Sequence, residues 1–174
     1  MDLWEAIKER RSIRRYVEGR DVPPETVEQL LQAAIAAPSA GNCQPWHFVV
    51  VRDPETKRGL AEAAYGQRFV AQAPVVIVVC ADPARSASRY GRRGSELYCL
   101  QDTAAASENI LLGVTALGLG ACWVGAFDER AAARVLDLPS HLRPVAMIPI
   151  GHPGERFAHR TSRRRLSEVT TFIK

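Results

Sequence analysis

The sequence predicts a single α+β domain built as a three-layer sandwich, with one sheet between two layers of helices. Three observations carry this reading. Apolar runs at 48–51, 75–80 and 145–150 read as buried strands. Helical segments separate them at irregular intervals, sometimes two in succession, which does not suit the regular alternation of a doubly wound domain. One long helical stretch, about 96–117, is apolar around much of its circumference, and such a helix is buried on several sides.

The elements follow in order. Leu3 to Glu9 reads as a short helix, opened by the capping-box pattern Asp2-x-x-Glu5. Val27, Leu30, Leu31, Ala34 and Ile35 keep helical spacing, with Pro23 and Pro24 opening that helix and Pro38 ending it. Phe48 to Val51 is a strand, Pro54 to Ala64 a helix, and Val75 to Cys80 a second strand. Arg85 to Gly94 is polar, contains two glycines and reads as a mobile loop with solvated arginines. Gly118 and Gly120 stop the long helix, and a strand follows over Cys122 to Gly125. Asp128 caps a helix running to Leu136, and Val145 to Ile150 is the last strand. From Glu155 a polar, basic tail begins. It finishes in Val169, Phe172 and Ile173, apolar residues that need a surface to pack against.

Two segments carry chemistry. The first is Pro38-Ser39-Ala40-Gly41-Asn42-Cys43-Gln44-Pro45-Trp46, between a helix and a strand. Its small residues admit close backbone approach, and Ser39, Asn42 and Gln44 bring groups that donate and accept. These are also ordinary turn residues, and an unspecialised helix-to-strand turn is the competing reading. The second is Arg10-Arg11-Ser12-Ile13-Arg14-Arg15-Tyr16. Guanidinium forks match phosphate oxygens. The cluster follows a helix C-terminus, where the dipole disfavours an anion, so side chains must do the holding; helix capping by basic residues is the alternative.

In order and spacing, these segments resemble the nitroreductase family of flavoproteins. Arg10-Arg11-Ser12-x-Arg14-x-Tyr16 is similar to its phosphate signature, and Pro38-Ser39-x-x-Asn42-x-Gln44-Pro45-Trp46 to its flavin-contacting loop. Asp102 to Gly120 resembles its central helix with the Gly-Leu-Gly ending. Gly118 to Phe127 resembles the segment whose backbone meets the reactive edge of the flavin, and Arg163-Arg164-Arg165 the late basic run that returns to the phosphate. The resemblance implies a mixed central sheet, an intertwined homodimer with the tail from about 155 reaching the partner subunit, and one FMN per subunit at the interface. Arg10, Arg11, Ser12 and Arg14 would hold the phosphate with Arg163 and Arg165. Pro38, Ser39, Asn42 and Gln44 would meet the ring or ribityl chain, some from the neighbouring subunit. Gly125 and Ala126 would place backbone amides near the flavin N5 and O4.

The implied reaction is ping-pong hydride transfer through flavin N5, from NADH or NADPH to a nitroaromatic, quinone or similar small acceptor. It needs no side-chain nucleophile, and no catalytic residue is assigned. Reductive dehalogenation, flavin fragmentation or flavin storage without turnover are the alternatives on the same fold. Gln67 is a weaker candidate for the flavin pyrimidine edge. Trp123, Tyr90, Tyr98, His47, Glu108 and Asn109 have structural readings at least as good as functional ones.

Composition narrows the rest. A chain of 174 residues with 47% hydrophobic and 24% charged content is long enough for one real core. The net charge of +4 concentrates in the two arginine clusters near the ends, without interleaved aromatics, so a small shared anion suits it better than a nucleic acid. The four cysteines and four histidines show no metal-ligand spacing, and no metal is expected. The N-terminus reads as a capped helix and not a signal peptide, no apolar run is long enough to span a bilayer, and a cytoplasmic setting is expected. Gly118-Leu119-Gly120 follows a helix and lacks a third glycine, so it is no dinucleotide fingerprint.

Overall fold

The computed structural model of the chain describes residues 1–154 and 161–173. Its sheet has four strands in the order β1-β2-β4-β3: β1 Trp46–Val51, β2 Val75–Ala81, β3 Gly120–Ala121 and β4 Arg143–Gly151. β2 is the central strand, and every one of its seven residues is buried. Its alternate side chains serve two cores. Val75, Ile77 and Val79 pack with α2 (Pro24–Ile35) and α6 (Cys99–Ala116). Val76, Val78 and Cys80 pack with α3 (Pro54–Ala63), α4 (Phe69–Gln72) and α7 (Glu129–Val135). A strand apolar on both faces demands cover on both faces, and this produces the three layers.

All four strands pair antiparallel. The parallel component expected of a mixed sheet is confined to one isolated bridge, Ser12 with Ala121. β1 begins at Trp46, two residues before the expected start. It is an edge strand, with Val50 39% exposed, so the buried strand expected there is only half-buried. The strand expected over Cys122 to Gly125 is also corrected. Regular pairing covers only Gly120–Ala121, and Val124 returns as a single bridge to Met147.

The helix starts are set by local chemistry. α1 (Leu3–Glu9) carries the complete capping box, with Asp2 accepting from the Glu5 N–H and Glu5 accepting from the Asp2 N–H. Asp53 and Asp128 cap α3 and α7 through their side chains. The largest correction concerns 85–94. The expected mobile loop is a helix, α5 (Pro83–Arg93), capped by Asp82 at the Arg85 N–H, with proline in the first turn. Gly91 breaks it with φ 54° and ψ −140°, and a π-helical turn, Gly94–Tyr98, leads into α6. The chain therefore doubles back tightly, with Gly94 against the Ser86 backbone. α6 ends at Ala116, and Gly118, just past the Leu117 cap, lies in the left-handed region at φ 71°, the stop that the glycines there predict.

The expected tail lies partly outside the described residues, which omit 155–160. Leu166, Val169, Phe172 and Ile173 are all exposed on this chain, as are Leu3, Trp4 and Ile7 of α1. Among the described residues, no helix is long and apolar enough to cross a membrane.

The α5 reversal gives a sharp test. A Cβ on Gly94 would meet the Ser86 carbonyl oxygen at 2.4 Å, a backbone atom that cannot turn aside. Gly94→Ala is expected to destabilise the fold by about 1–3 kcal/mol, read as a lowered urea midpoint, whereas Gly66→Ala should act only through its positive φ because nothing lies within 4 Å.

Candidate functional site

The arginine segment is fastened to the far rim of the sheet. The Ile13 N–H donates to the Ala121 carbonyl at 2.8 Å, and Ile13 packs where a Cβ on Gly120 would sit. Tyr16 donates its hydroxyl to the carbonyls of Ile13 and Pro149, at 3.0 and 3.1 Å, which ties the end of the segment to β4. Ser12 and Arg14 are exposed, and their side chains reach the Cys122 thiol behind them. Arg14 also lies over the Phe69 ring, 5.8 Å from its centroid. Arg10 is half-buried and faces Glu108 of α6 at 4.0 Å. Arg11 is engaged elsewhere: it donates to the Lys8 and Arg10 carbonyls at 2.6 and 2.8 Å, the C-capping role, and lies 3.7 Å from Glu9.

Beside this cluster runs 122–127. Gly125 and Ala126 are exposed, and among the described residues their N–H groups have no acceptor. Gln67 donates to the Ala126 carbonyl at 3.1 Å and to Ala64 at 3.0 Å, so this side chain shapes the segment. Trp123, 38% exposed, stands next to Gly125. Together these residues form a shelf of donors: two or three guanidinium and hydroxyl groups at one end and bare backbone N–H groups at the other.

The loop at 38–44 is built separately. Ala40–Asn42 form a single 3-10 turn, and Gly41, Asn42 and Gln44 all lie in the left-handed region, at φ 54°, 56° and 50°. Ser39 accepts from the Gln44 N–H at 3.0 Å and closes the turn on itself. α5, expected as solvent loop, supplies two anchors: Arg85 donates to the Cys43 carbonyl and Arg89 to that of Gly41. Asn42 and Gln44 remain exposed, with Pro38 beside them. The Tyr90 hydroxyl closes over Gly41, and its ring meets Tyr98 edge-on at 5.2 Å. These tyrosines pack the α5 reversal against the loop, a role that the polar composition of 85–94 concealed.

The two groups are not brought together within one chain. Trp46, where the loop enters β1, pairs with Ala81; Ala121, which holds the arginine segment, pairs with Ile150 and through it Val75. That places them three strands apart and at opposite ends of β2, about 25 Å on the diagonal. Both nevertheless touch α6, through Asp102 and Glu108. Arg163 and Arg165 belong to neither group. Arg163 donates to Thr161 and Ser162, and Arg165 pairs with Glu168, as does Arg164. Of the other open cavities, one of about 460 Å³ lies beyond Gln44 and is lined by Trp46, His47, Arg85 and His141. Another, of about 270 Å³, lies beside Trp123 and is floored by the bidentate pair between Arg143 and Glu129. Among the described residues, no three His, Cys, Asp or Glu side chains converge as a metal site would require.

The fold and the donor shelf define an α+β protein of the nitroreductase type. The sequence model of the Nitroreductase family matches residues 7–68 and 63–152, and the chain belongs to that family; it is an oxidoreductase. A Methanothermobacter thermautotrophicus protein with the provisional name NADH dehydrogenase/NAD(P)H nitroreductase is 42% identical over 159 residues, covering 89% of this chain and 79% of its own. A Bacillus subtilis FMN reductase [NAD(P)H] is 30% identical over 177 residues, covering 90% of this chain and 68% of its own. The crystal structure of a nitroreductase family protein from Clostridium novyi superposes with a TM-score of 0.80 at 32% identity, covering 89% and 87% of the two chains.

The electrostatics around Cys122 can be tested directly. Burial pushes its thiol up, and the opposing pull of Arg14 is smaller. Burial also raises Cys99, and it pushes Cys80 up to about 12. At about pH 8 the folded protein should therefore leave Cys80, Cys99 and Cys122 unmodified by iodoacetamide, and urea should make all of them react, as read by peptide mass spectrometry. Rapid labelling of native Cys122 would mean that the arginines, not burial, control it.

Proposed function

We propose that the chain is an NAD(P)H oxidoreductase that holds one FMN in a site shared by two copies of itself. The observation that carries this reading is the donor shelf, where Ser12 and Arg14 stand beside the N–H groups of Gly125 and Ala126, which have no acceptor among the described residues. A phosphate at one end and a carbonyl-rich heterocycle at the other would satisfy both sets. FMN there would supply the two-electron chemistry, accepting hydride at N5 from NADH or NADPH and delivering it to a nitroaromatic, quinone or similar small acceptor.

The chain's own residues would bind and orient. Ser12 and the forks of Arg10 and Arg14 grip the phosphate, and Arg163 and Arg165 join from a tail repositioned against the partner. Arg11 supports the segment from behind, since its guanidinium is spent on helix carbonyls. The N–H groups of Gly125 and Ala126 would meet the reactive edge of a bound ring, where a fixed donor would stabilise negative charge as it develops. Gln67 holds that edge in place through the Ala126 carbonyl. The exposed amides of Asn42 and Gln44, with Pro38 and Ser39, come from the second copy, because the diagonal separation removes them from their own chain's shelf.

A shared site predicts complementation. Arg14→Ala and Asn42→Ala should each weaken FMN retention as homodimers, by roughly ten- to a hundredfold for the charged contact. After mixing and subunit exchange, heterodimers should carry one site with both defects and one with none. Recovered NADH-dependent bleaching of the flavin bands in the mixture is the expected result. No recovery, with exchange verified, would place both residues in one subunit's site. Bands that neither NADH nor NADPH bleaches in the unmodified protein would rule out the oxidoreductase cycle in favour of storage.

A further inference from the structure

The 38–44 loop holds three left-handed residues in four positions, two of them not glycine. L-residues adopt that region at a cost, so something outside the loop must hold it there. Ser39 stands at the position that would cap the Ala40–Asn42 turn, yet makes no capping bond. The Ala40 N–H donates instead to Oδ1 of Asp102, at 3.1 Å, in the first turn of α6. Asp102 is only 7% exposed, and its Oδ2 is buried with no hydrogen-bond partner among the described residues. A carboxyl group with one oxygen unsatisfied is a costly thing to bury inside a helix layer. Among the described residues, the one hydrogen bond of its other oxygen is to this turn.

We propose that Asp102 is a positioning residue, a cap supplied from α6 that sets the left-handed turn in which Asn42 and Gln44 present their amides. Arg89 on the Gly41 carbonyl, at 2.8 Å, and Arg85 on the Cys43 carbonyl are its counterparts from α5. The Asp82 N–H completes the set on the Pro45 carbonyl, at 2.8 Å. The backbone of 40–45 is thus pinned by one acceptor, Asp102 of α6, and three donors, Arg85 and Arg89 of α5 and the Asp82 N–H just after β2. The side chains of Asn42 and Gln44 are left exposed. Asp102 itself touches no ligand; it acts through the loop. The inference rests on the proposal that this loop meets FMN.

The test uses the full-length protein, freed of flavin, with FMN as the probe. Amide hydrogen exchange across 39–45 reads the anchor, and fluorescence titration reads FMN affinity. Asp102→Ala should speed exchange in the loop, leave β2 protected, and weaken FMN binding by roughly tenfold or more. Asp102→Asn keeps an acceptor for the Ala40 N–H and should restore both readings, whereas Asp102→Leu, which fills the space but offers no acceptor, should not; equal rescue by the two would mean a packing role and overturn the anchor. Arg89→Ala, at an exposed helix position, should loosen the same loop and covers the case in which Asp102→Ala does not fold. Unchanged exchange in both Asp102→Ala and Arg89→Ala would overturn the anchor. Faster exchange with unchanged FMN affinity would overturn the loop's part in flavin binding, while the Arg14 result stands or falls separately.

Discussion

The double-sided burial of β2 is the constraint from which the rest of the molecule follows. Seven consecutive apolar residues with no solvent face cannot sit at an edge or on an open sheet, so the strand must be central and must be covered above and below. The face formed by Val75, Ile77 and Val79 recruits α2 and α6; that of Val76, Val78 and Cys80 recruits α3, α4 and α7. Polar function is thereby driven to the rims. The arginine segment lies along β3 at one corner and the left-handed loop leads into β1 at the opposite one, with α6 the element that touches both.

Much of this was legible in the residues. The caps at Asp2, Asp53 and Asp128 are local chemistry, and the helices they open begin where the pattern says. β2 and β4 declare themselves by unbroken apolar runs. What escaped reading was what only tertiary contact decides. The 85–94 segment has few apolar residues, and its arginines read as solvated. Two of them are instead spent on the carbonyls of a loop more than forty positions upstream. The signal was present in Asp82-Pro83, an N-cap followed by proline at the first helical position. Likewise Cys122 to Gly125 has strand composition, but among the described residues its pairing to β4 is limited to the Cys122 N–H on the Pro149 carbonyl and the bridge of Val124 with Met147, because the chain turns away to expose the Gly125 and Ala126 N–H groups.

The candidate site divides in the same way. Residue types and spacing offered Ser12, Arg14, Asn42 and Gln44 as candidates, alongside the plainer readings of helix capping and an ordinary turn, and the structure leaves all four exposed. Which of the arginines at 10, 11, 14 and 15 faces outward was not legible, because Arg11 differs from Arg14 only in the carbonyls that surround it. The role of Asp102 was invisible for another reason. An aspartate in an apolar helix gains meaning only when the backbone it meets, at Ala40, is known.

The order β1-β2-β4-β3 also bears on how the chain reaches this state. β1 and β2 are close in sequence and can pair early, but the second flank of β2 is β4, which does not begin until Arg143. Until that point is synthesised, the Val-Val-Ile-Val-Val run carries one unpaired edge, with the β-branched, uncharged composition that favours association between chains. Long-range pairing of this kind is slow, because loop closure is entropically costly before contacts reward it. Charge sits next to the run: α5 follows β2 immediately and carries Arg85, Arg89, Arg92 and Arg93. The arginines that pin the mature loop therefore also act as gatekeepers of a nascent strand, repelling like copies while β4 is still to come.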